Sequence, residues 1–434
     1  MNFSSRNDVS CGSADHWARR RVLKAAGLSG LSWLTPMADQ LALAADLGKT
    51  ARPRSVILVW LQGGASQLET FDPHPGKTIA YGSGAVDTPV KGIQLGEKLV
   101  QTAELMEDFS LIRSVVSKEG DHARATYNIK TGHRLIPGLE HPSVGAIVCH
   151  ELEDPKIDIP THISIIPANF AARGGYLGAH FDAFQIGDPN SPVPDVASRV
   201  SEKRTKERLE SLSVLEESFA KGRLANLDRN RTQHITNLER ARRMMTSDQL
   251  AAFDVSQETK ADREAFGDSP FGRGCLAAVR LIECGVRCVE VTLNGWDTHA
   301  NNRDLQNRKV ELLDPALASL IRTLKARDLY EETIVICATE FGRTPKQNVA
   351  EGRDHWPHGF SILLGGGGLA GGKVIGETDP EGDSKDPANP VDVEDVHATV
   401  YEALGIDYEF ELPTPINRPV PISEGVPVRE LLVG

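Results

Sequence analysis

Four short runs rich in Val and Ile constrain this chain more than any other feature: Ser55 to Leu61, Thr161 to Ile166, Val286 to Leu293 and Thr333 to Ala338. They are apolar along most of their length and are followed by Gly or polar residues. A strand with one wet face alternates, whereas a continuous apolar strand is covered on both sides, as in a mostly parallel sheet with helices above and below. Helical stretches separate the runs. Phe271 to Glu283, with Leu276, Val279, Leu281 and Ile282 on one side, precedes the third, and Leu312 to Arg327 precedes the fourth. Strands alternating with helices predict an α/β fold, a three-layer α/β/α sandwich. Residues 195–260 break the rhythm, with charges at almost every second position. Leu209, Leu212, Leu215, Phe219, Leu224 and Leu227 recur there at helical spacing, which predicts a helical insertion of one or two long exposed helices, packed on the domain by that stripe.

With 434 residues, 40% of them hydrophobic, the chain can build one large domain or two ordinary ones. A formal net charge of −12, with no clustered Lys/Arg stripe, excludes a nucleic-acid partner. The N-terminus departs from that acidic balance. Arg19-Arg20-Arg21-Val22-Leu23-Lys24 leads into a weakly apolar run from Ala25 to Leu34, and Ala42-Leu43-Ala44-Ala45 offers a small-residue cleavage site. This anatomy predicts a twin-arginine signal peptide over residues 1–45, recognised by the twin-arginine export machinery, and an exported, periplasmic or extracellular domain over 46–434. No later segment reaches the roughly 18 consecutive apolar residues of a spanning helix, so no membrane partner is expected after processing. Of the six cysteines, Cys11 lies in the leader and the other five lack C-x-x-C spacing. They read as small buried hydrophobes.

In doubly wound sheets, ligands lie beyond the C-terminal ends of the strands. The first strand runs into Gln62-Gly63-Gly64, followed by Ser66, Glu69 and Asp72, a loop that fits oxygen ligands or simple turn chemistry. The third ends in Asn294-Gly295-Trp296-Asp297-Thr298-His299, where Asp297 and His299 can point the same way as metal ligands. After the fourth come Glu340, Arg343 and the densest polar cluster of the chain, Arg353-Asp354-His355-Trp356-Pro357-His358. Imidazoles and charges are costly to bury unless paired or on a metal. A predicted helix from Gly120 carries His122 and Thr126, either of which can serve as nucleophile or ligand, and stops at Thr131-Gly132. Gly365 to Gly368 follow an apolar strand without a phosphate-loop Lys, and read as a turn.

These motifs resemble those of the bacterial family called domain of unknown function 1501, twin-arginine-exported proteins of the alkaline phosphatase and sulfatase superfamily. The resemblance rests on Leu61 to Ser66, His122 to Gly132, Gly295 to His299, Thr339 to Pro345 and Gly352 to Pro357. It implies an alkaline phosphatase-like core that hydrolyses phosphate or sulfate esters with divalent metal, zinc, calcium or manganese, at the C-terminal edge of the sheet. In the superfamily a strand end of the form Ser-Asp-His-Gly supplies ligands; here Thr339-Glu340-Phe341-Gly342 corresponds, with Glu340 keeping a carboxylate and Phe341 replacing the second ligand. The usual first-strand Asp gives way to Gln62-Gly63, and no Ser or Cys stands near His122. A formylglycine sulfatase is thereby disfavoured, and a covalent mechanism has only Thr126 or a His to use. Asp297, His299, Asp354, His355 and His358 still suffice for one metal. His397, in the closing helix, is a marginal candidate.

The leading expectation is a metal-dependent hydrolase of small anionic esters, sulfated or phosphorylated, with Arg343 or Arg353 clamping the anion. The alternative is a non-catalytic scaffold that binds carbohydrate or another partner. A phosphomutase-type transferase is a weaker third.

Overall fold

The computed structural model describes residues 54–167, 169–170, 172–194, 196, 200–220 and 241–433. The expected signal peptide and cleavage site, and Leu224 and Leu227 of the leucine stripe, lie outside them. Arg52–Gly434 forms one compact unit. Its centre is a 9-stranded sheet. In chain order the strands are β1 (Ser55–Gln62), β2 (Phe109–Val116), β3 (His162–Ile165), β4 (Phe184–Ile186), β5 (Cys288–Asn294), β6 (Thr333–Thr339), β7 (Phe360–Gly366), β8 (Val374–Ile375) and β9 (Val391–Asp392). The spatial order is β8-β2-β7-β6-β1-β5-β3-β4, with β9 also on β2. Most pairs are parallel; β7 runs against both β6 and β2.

Helices of eight residues or more are α1 (His122–Thr131), α2 (Val144–Glu151), α3 (Glu202–Ala220), α4 (Pro270–Glu283), α5 (Asn302–Ala326) and α6 (Val393–Leu404). Side chains of β1 alternate between two cores, which is what continuous apolarity requires. Ile57, Val59 and Leu61 pack with Leu276 and Val279 of α4 and Leu317 and Leu320 of α5. Val56, Leu58 and Trp60 pack with Ile147 and Val148 of α2 and Val396 and Val400 of α6. The expected three-layer α/β/α sandwich is therefore the observed one. Each such buried side chain contributes about 1.5–3 kcal/mol, so a polar residue in β1 would be costly. Helix ends carry the expected chemistry: Asp121 caps α1 and Gly132 ends it left-handed, while Ser269 caps α4 ahead of Pro270.

All four predicted strands are present. β2 went unnamed because Arg113 interrupts its apolar run; its guanidinium donates to Phe71 O and Gln94 O. Gly365 and Gly366, read as turn, are the last residues of β7. Helix α5 begins at Asn302, not Leu312. Its polar first turns are held because Asn302 and Gln306 are buried among hydrogen-bonding partners. The insertion holds one long described helix, α3, and returns through short turns at Asp248–Phe253 and Val255–Gln257. Its described anchors in the first core are Met244, Phe253 and Val255. The five cysteines from Cys149 onward are free, four of them buried and Cys284 partly so. Among the described residues no helix is long and apolar enough to cross a membrane.

Candidate metal centre

Register brings three strand ends level. Gln62 of β1 lies beside Asn294 of β5, and Leu61 beside Thr339 of β6. The loops that follow therefore meet at one edge of the sheet, and α1 presents its first residue to them. Gly63 adopts φ +120°, and a Cβ there would come within 2.6 Å of Asp297 N and 2.9 Å of Trp296 N. Only glycine lets the loops after β1 and β5 touch. Gly352 is equally constrained, since a Cβ there would meet the His299 carbonyl at 1.9 Å.

Three imidazoles and one carboxylate converge at this edge. His122, Asp297 and His355 each offer a ligand atom, all within 4.8 Å of one another. His299 Nε2 stands 3.1 Å from His355 Nε2 and 3.1 Å from Asp297 Oδ1. His122 Nε2 is 3.4 Å from Asp297 Oδ2, and His355 Nε2 is 3.5 Å from Asp297 Oδ1.

The far nitrogen of each ring is committed elsewhere. His122 Nδ1 lies 2.8 Å from Glu340 Oε1, His299 Nδ1 2.8 Å from Asp354 Oδ1, and His355 Nδ1 2.8 Å from Gly120 O. Carboxylates and carbonyls accept only, so each Nδ1 donates to its outer partner, and each ring turns its Nε2 inward. This is the arrangement of metal-binding histidines whose outer partners fix tautomer and aim. His355 stacks on Phe341, centroids 4.3 Å apart, so Phe341 forms a wall of the cluster.

Electrostatics differ from ring to ring. The hydrogen bond to Glu340 raises the His122 pKa above its usual value, against the opposing effect of burial. Burial lowers that of His355, which keeps the ring neutral. Partial burial pushes Asp297 upward, but the Arg343 guanidinium outweighs it and leaves the carboxyl below the usual range. The donor set, imidazole nitrogen plus a carboxylate kept ionised, suits a borderline divalent cation such as zinc. Asp297 and His299 are about half exposed, so the cluster is open to solvent on one side.

Other candidates have different places. Glu340 is fully buried and its Oε1 accepts from Gly63 N at 2.8 Å, Gln62 Nε2 at 3.3 Å and His122. It aims His122 instead of joining the ligand set. Asp354 does the same for His299. Arg343, expected as an anion clamp, is 0% exposed with five hydrogen bonds, to the carbonyls of Gly63, Gly64, Trp296 and Arg353 and to Asp297 Oδ1 at 2.7 Å. It ties the strand-end loops together. Arg353 is likewise spent on Thr344 O, Pro345 O, Ile79 O and Glu69. Both departures follow from desolvation: a guanidinium buried at 0% exposure is satisfied by nearby carbonyls and carboxylates and is closed off from an outside ligand, although Arg353 Nε keeps no partner.

The Thr126 hydroxyl is sealed inside the protein, one turn along α1 from His122, with no hydrogen-bond partner. His358 packs edge-on against Trp356 and faces Lys385 and Asp386, outside the cluster. His397 lies between α6 and α1, bonded to Ile129 O at 2.8 Å. The loop after β1 is structural: Glu69 pairs with Arg353, and Asp72 accepts from Thr378 at 2.5 Å. Two contributors carried no sequence signal, Gly120 through its carbonyl and Asn348, whose Nδ2 donates to His299 O at 3.0 Å.

No curated protein matched the sequence. Among solved structures, the chain is similar to a lipoteichoic acid synthase from Listeria monocytogenes, at 11% identity and TM-score 0.39, covering 82% of this chain and 73% of that one. A sulfatase from Pseudoalteromonas sp. is similar at 11% identity and TM-score 0.40, covering 86% and 73%. A phosphonate monoester hydrolase from Silicibacter pomeroyi stands at 10% and 0.37, covering 87% and 76%. Residues 53–432 match the model of the family described as protein of unknown function (DUF1501), and the chain belongs to that family.

Proposed function

We propose that the protein is an exported hydrolase of phosphate or sulfate esters that uses one divalent ion held by His122, Asp297, His299 and His355. The observation that carries this reading is the inward-facing set of Nε2 atoms, two of them 3.1 Å apart, each fixed by a proton acceptor on the far side of its ring. Such nitrogens repel one another unless a proton or a cation sits between them. A divalent ion there would polarise the ester oxygen and offset the charge that develops on it.

The chain's own residues do the positioning. Glu340 and Asp354 aim two of the rings, Arg343 keeps Asp297 ionised, and Phe341 walls one side against water. The Thr126 hydroxyl is buried with no base in hydrogen-bond reach, so this reading assigns the attacking oxygen to water. The same ordering supports export, because a protein folded around a loaded ion suits the twin-arginine route predicted by Arg19 to Lys24.

A second reading has one observation in its favour. Both Arg343 and Arg353 are fully buried and turned to carbonyls and carboxylates, away from an anion at the open edge. On that reading the centre binds without turnover. Incubation of the metal-loaded protein with aryl phosphates and aryl sulfates separates the two: metal-dependent release of phosphate or sulfate supports the hydrolase, and bound metal with no release supports the binder.

A further inference from the structure

A cavity of about 530 Å³ runs along α1, the helix whose first residue is His122. Ala123, the residue after His122, and Thr126, one turn on, line it. Its volume lies within the usual range for small-molecule sites.

The lining is mixed in a specific way. Tyr127 accepts from His141 N through its oxygen at 2.7 Å, which leaves its own O–H to donate. Asn169 and Gln185 present exposed amides, and Phe170 an exposed ring. The charges, by contrast, are paired. Lys130 is buried against Glu290 at 2.8 Å. Arg173 faces Glu140 at 3.4 Å, and Asp182 accepts from Gly174 N at 2.7 Å. A second anionic group would find no unmatched cation there. A ligand with many hydroxyls and one apolar face would find amides, a phenol and an aromatic surface, each of which hydroxyls and C–H faces satisfy.

We infer that this cavity holds the alcohol portion of the ester and that this portion is a neutral sugar. The inference rests on the metal centre being the reacting end of the same substrate. Phe170 supplies the face on which the sugar ring lies, and Asn169, Gln185 and Tyr127 bond its hydroxyls. Reaction at the metal centre and recognition along α1 are then separate tasks, which permits separate tests.

The test is ligand-observed NMR on the full metal-loaded protein with free glucose, galactose and fucose at tens of millimolar. The wild type and His299→Ala are compared with the double variant Asn169→Leu/Phe170→Ala, all sites lying on the surface or at an open edge. The expected result is saturation transfer to at least one sugar, weakened about tenfold or more in the double variant, which corresponds to the loss of one aromatic or bidentate contact. His299→Ala should keep sugar binding while losing metal. Absence of transfer to all three sugars in the wild type, or transfer undiminished in the double variant, overturns the cavity assignment, whatever the metal result. A protein that binds sugar at this cavity yet takes up no metal keeps the cavity assignment and removes the hydrolase reading instead.

Discussion

His299 Nε2 and His355 Nε2 face each other at 3.1 Å, while the Nδ1 of each ring is held by Asp354 and by the Gly120 carbonyl. With each Nδ1 proton donated outward, the two Nε2 atoms are left to crowd together beside Asp297 Oδ1, which lies 3.1 Å from His299 Nε2. This pair is the reason to expect a cation at the sheet edge, and the remaining geometry is arranged around it.

Replacing Glu340 by Gln tests whether that residue aims a ligand or is one. The amide keeps shape and volume but can no longer hold the His122 Nδ1 proton as a carboxylate does. Loss of an outer partner costs about 10–100-fold in metal affinity. Metal titration by calorimetry should show a reduced affinity in that range with stoichiometry intact. Complete loss of binding would make Glu340 a direct ligand.

Arg343→Ala should act on stability first. The substitution strips partners from four backbone carbonyls and leaves the Asp297 carboxylate without its closest cation. Asp297 is half exposed, so the main cost comes from the buried carbonyls left without a donor, about 1–3 kcal/mol for an unsatisfied buried acceptor. Urea denaturation should show a loss of that order. A variant of wild-type stability that fails only in turnover would return Arg343 to the role of anion clamp.

The pH dependence of folding should report His397. Burial lowers its pKa to about 4 from the ordinary 6.5. The neutral ring suits its site, with Nε2–H donating to Ile129 O and Nδ1 facing the Tyr401 hydroxyl at 3.5 Å. The unfolded chain binds the proton more readily, so this contribution is complete above about 6.5 and is lost as pH falls toward 4. The urea midpoint should therefore drop between pH 7.5 and pH 5, and His397→Gln should flatten that drop. An equal drop in the variant would assign the effect elsewhere, with buried His141, also lowered to about 4, as the next group to examine.

How much of this was legible in the sequence depends on the range of the interactions involved. β1, β3, β5 and β6 were readable because burial on both faces imposes continuous apolarity, a local signal. Asp297, His299 and His355 were readable because imidazoles and carboxylates crowd behind strand ends, where the topology puts ligands. The division of labour was not. Glu340 and Asp354 look like ligands in one dimension, and only the fold shows which proton each one holds. Arg343 and Arg353 look like anion clamps until their distant carbonyls are known, and the contribution of Gly120 is made by its backbone. The early start of α5 was hidden because Asn302 and Gln306 are polar residues buried by partners far away in sequence.

Export is testable on its own. Changing Arg19 and Arg20 together to Lys should leave the protein in the cytoplasm at its unprocessed mass, read by fractionation and mass spectrometry. Unchanged export of that variant would remove the twin-arginine assignment.

The most direct test of the central claim is elemental analysis of the folded protein beside His299→Ala and His355→Ala. The account predicts close to one divalent ion per chain in the wild type and a marked loss in both variants, with folding retained because both rings sit at an open edge. A wild-type protein that remains metal-free after loading with excess zinc, manganese and calcium would contradict it.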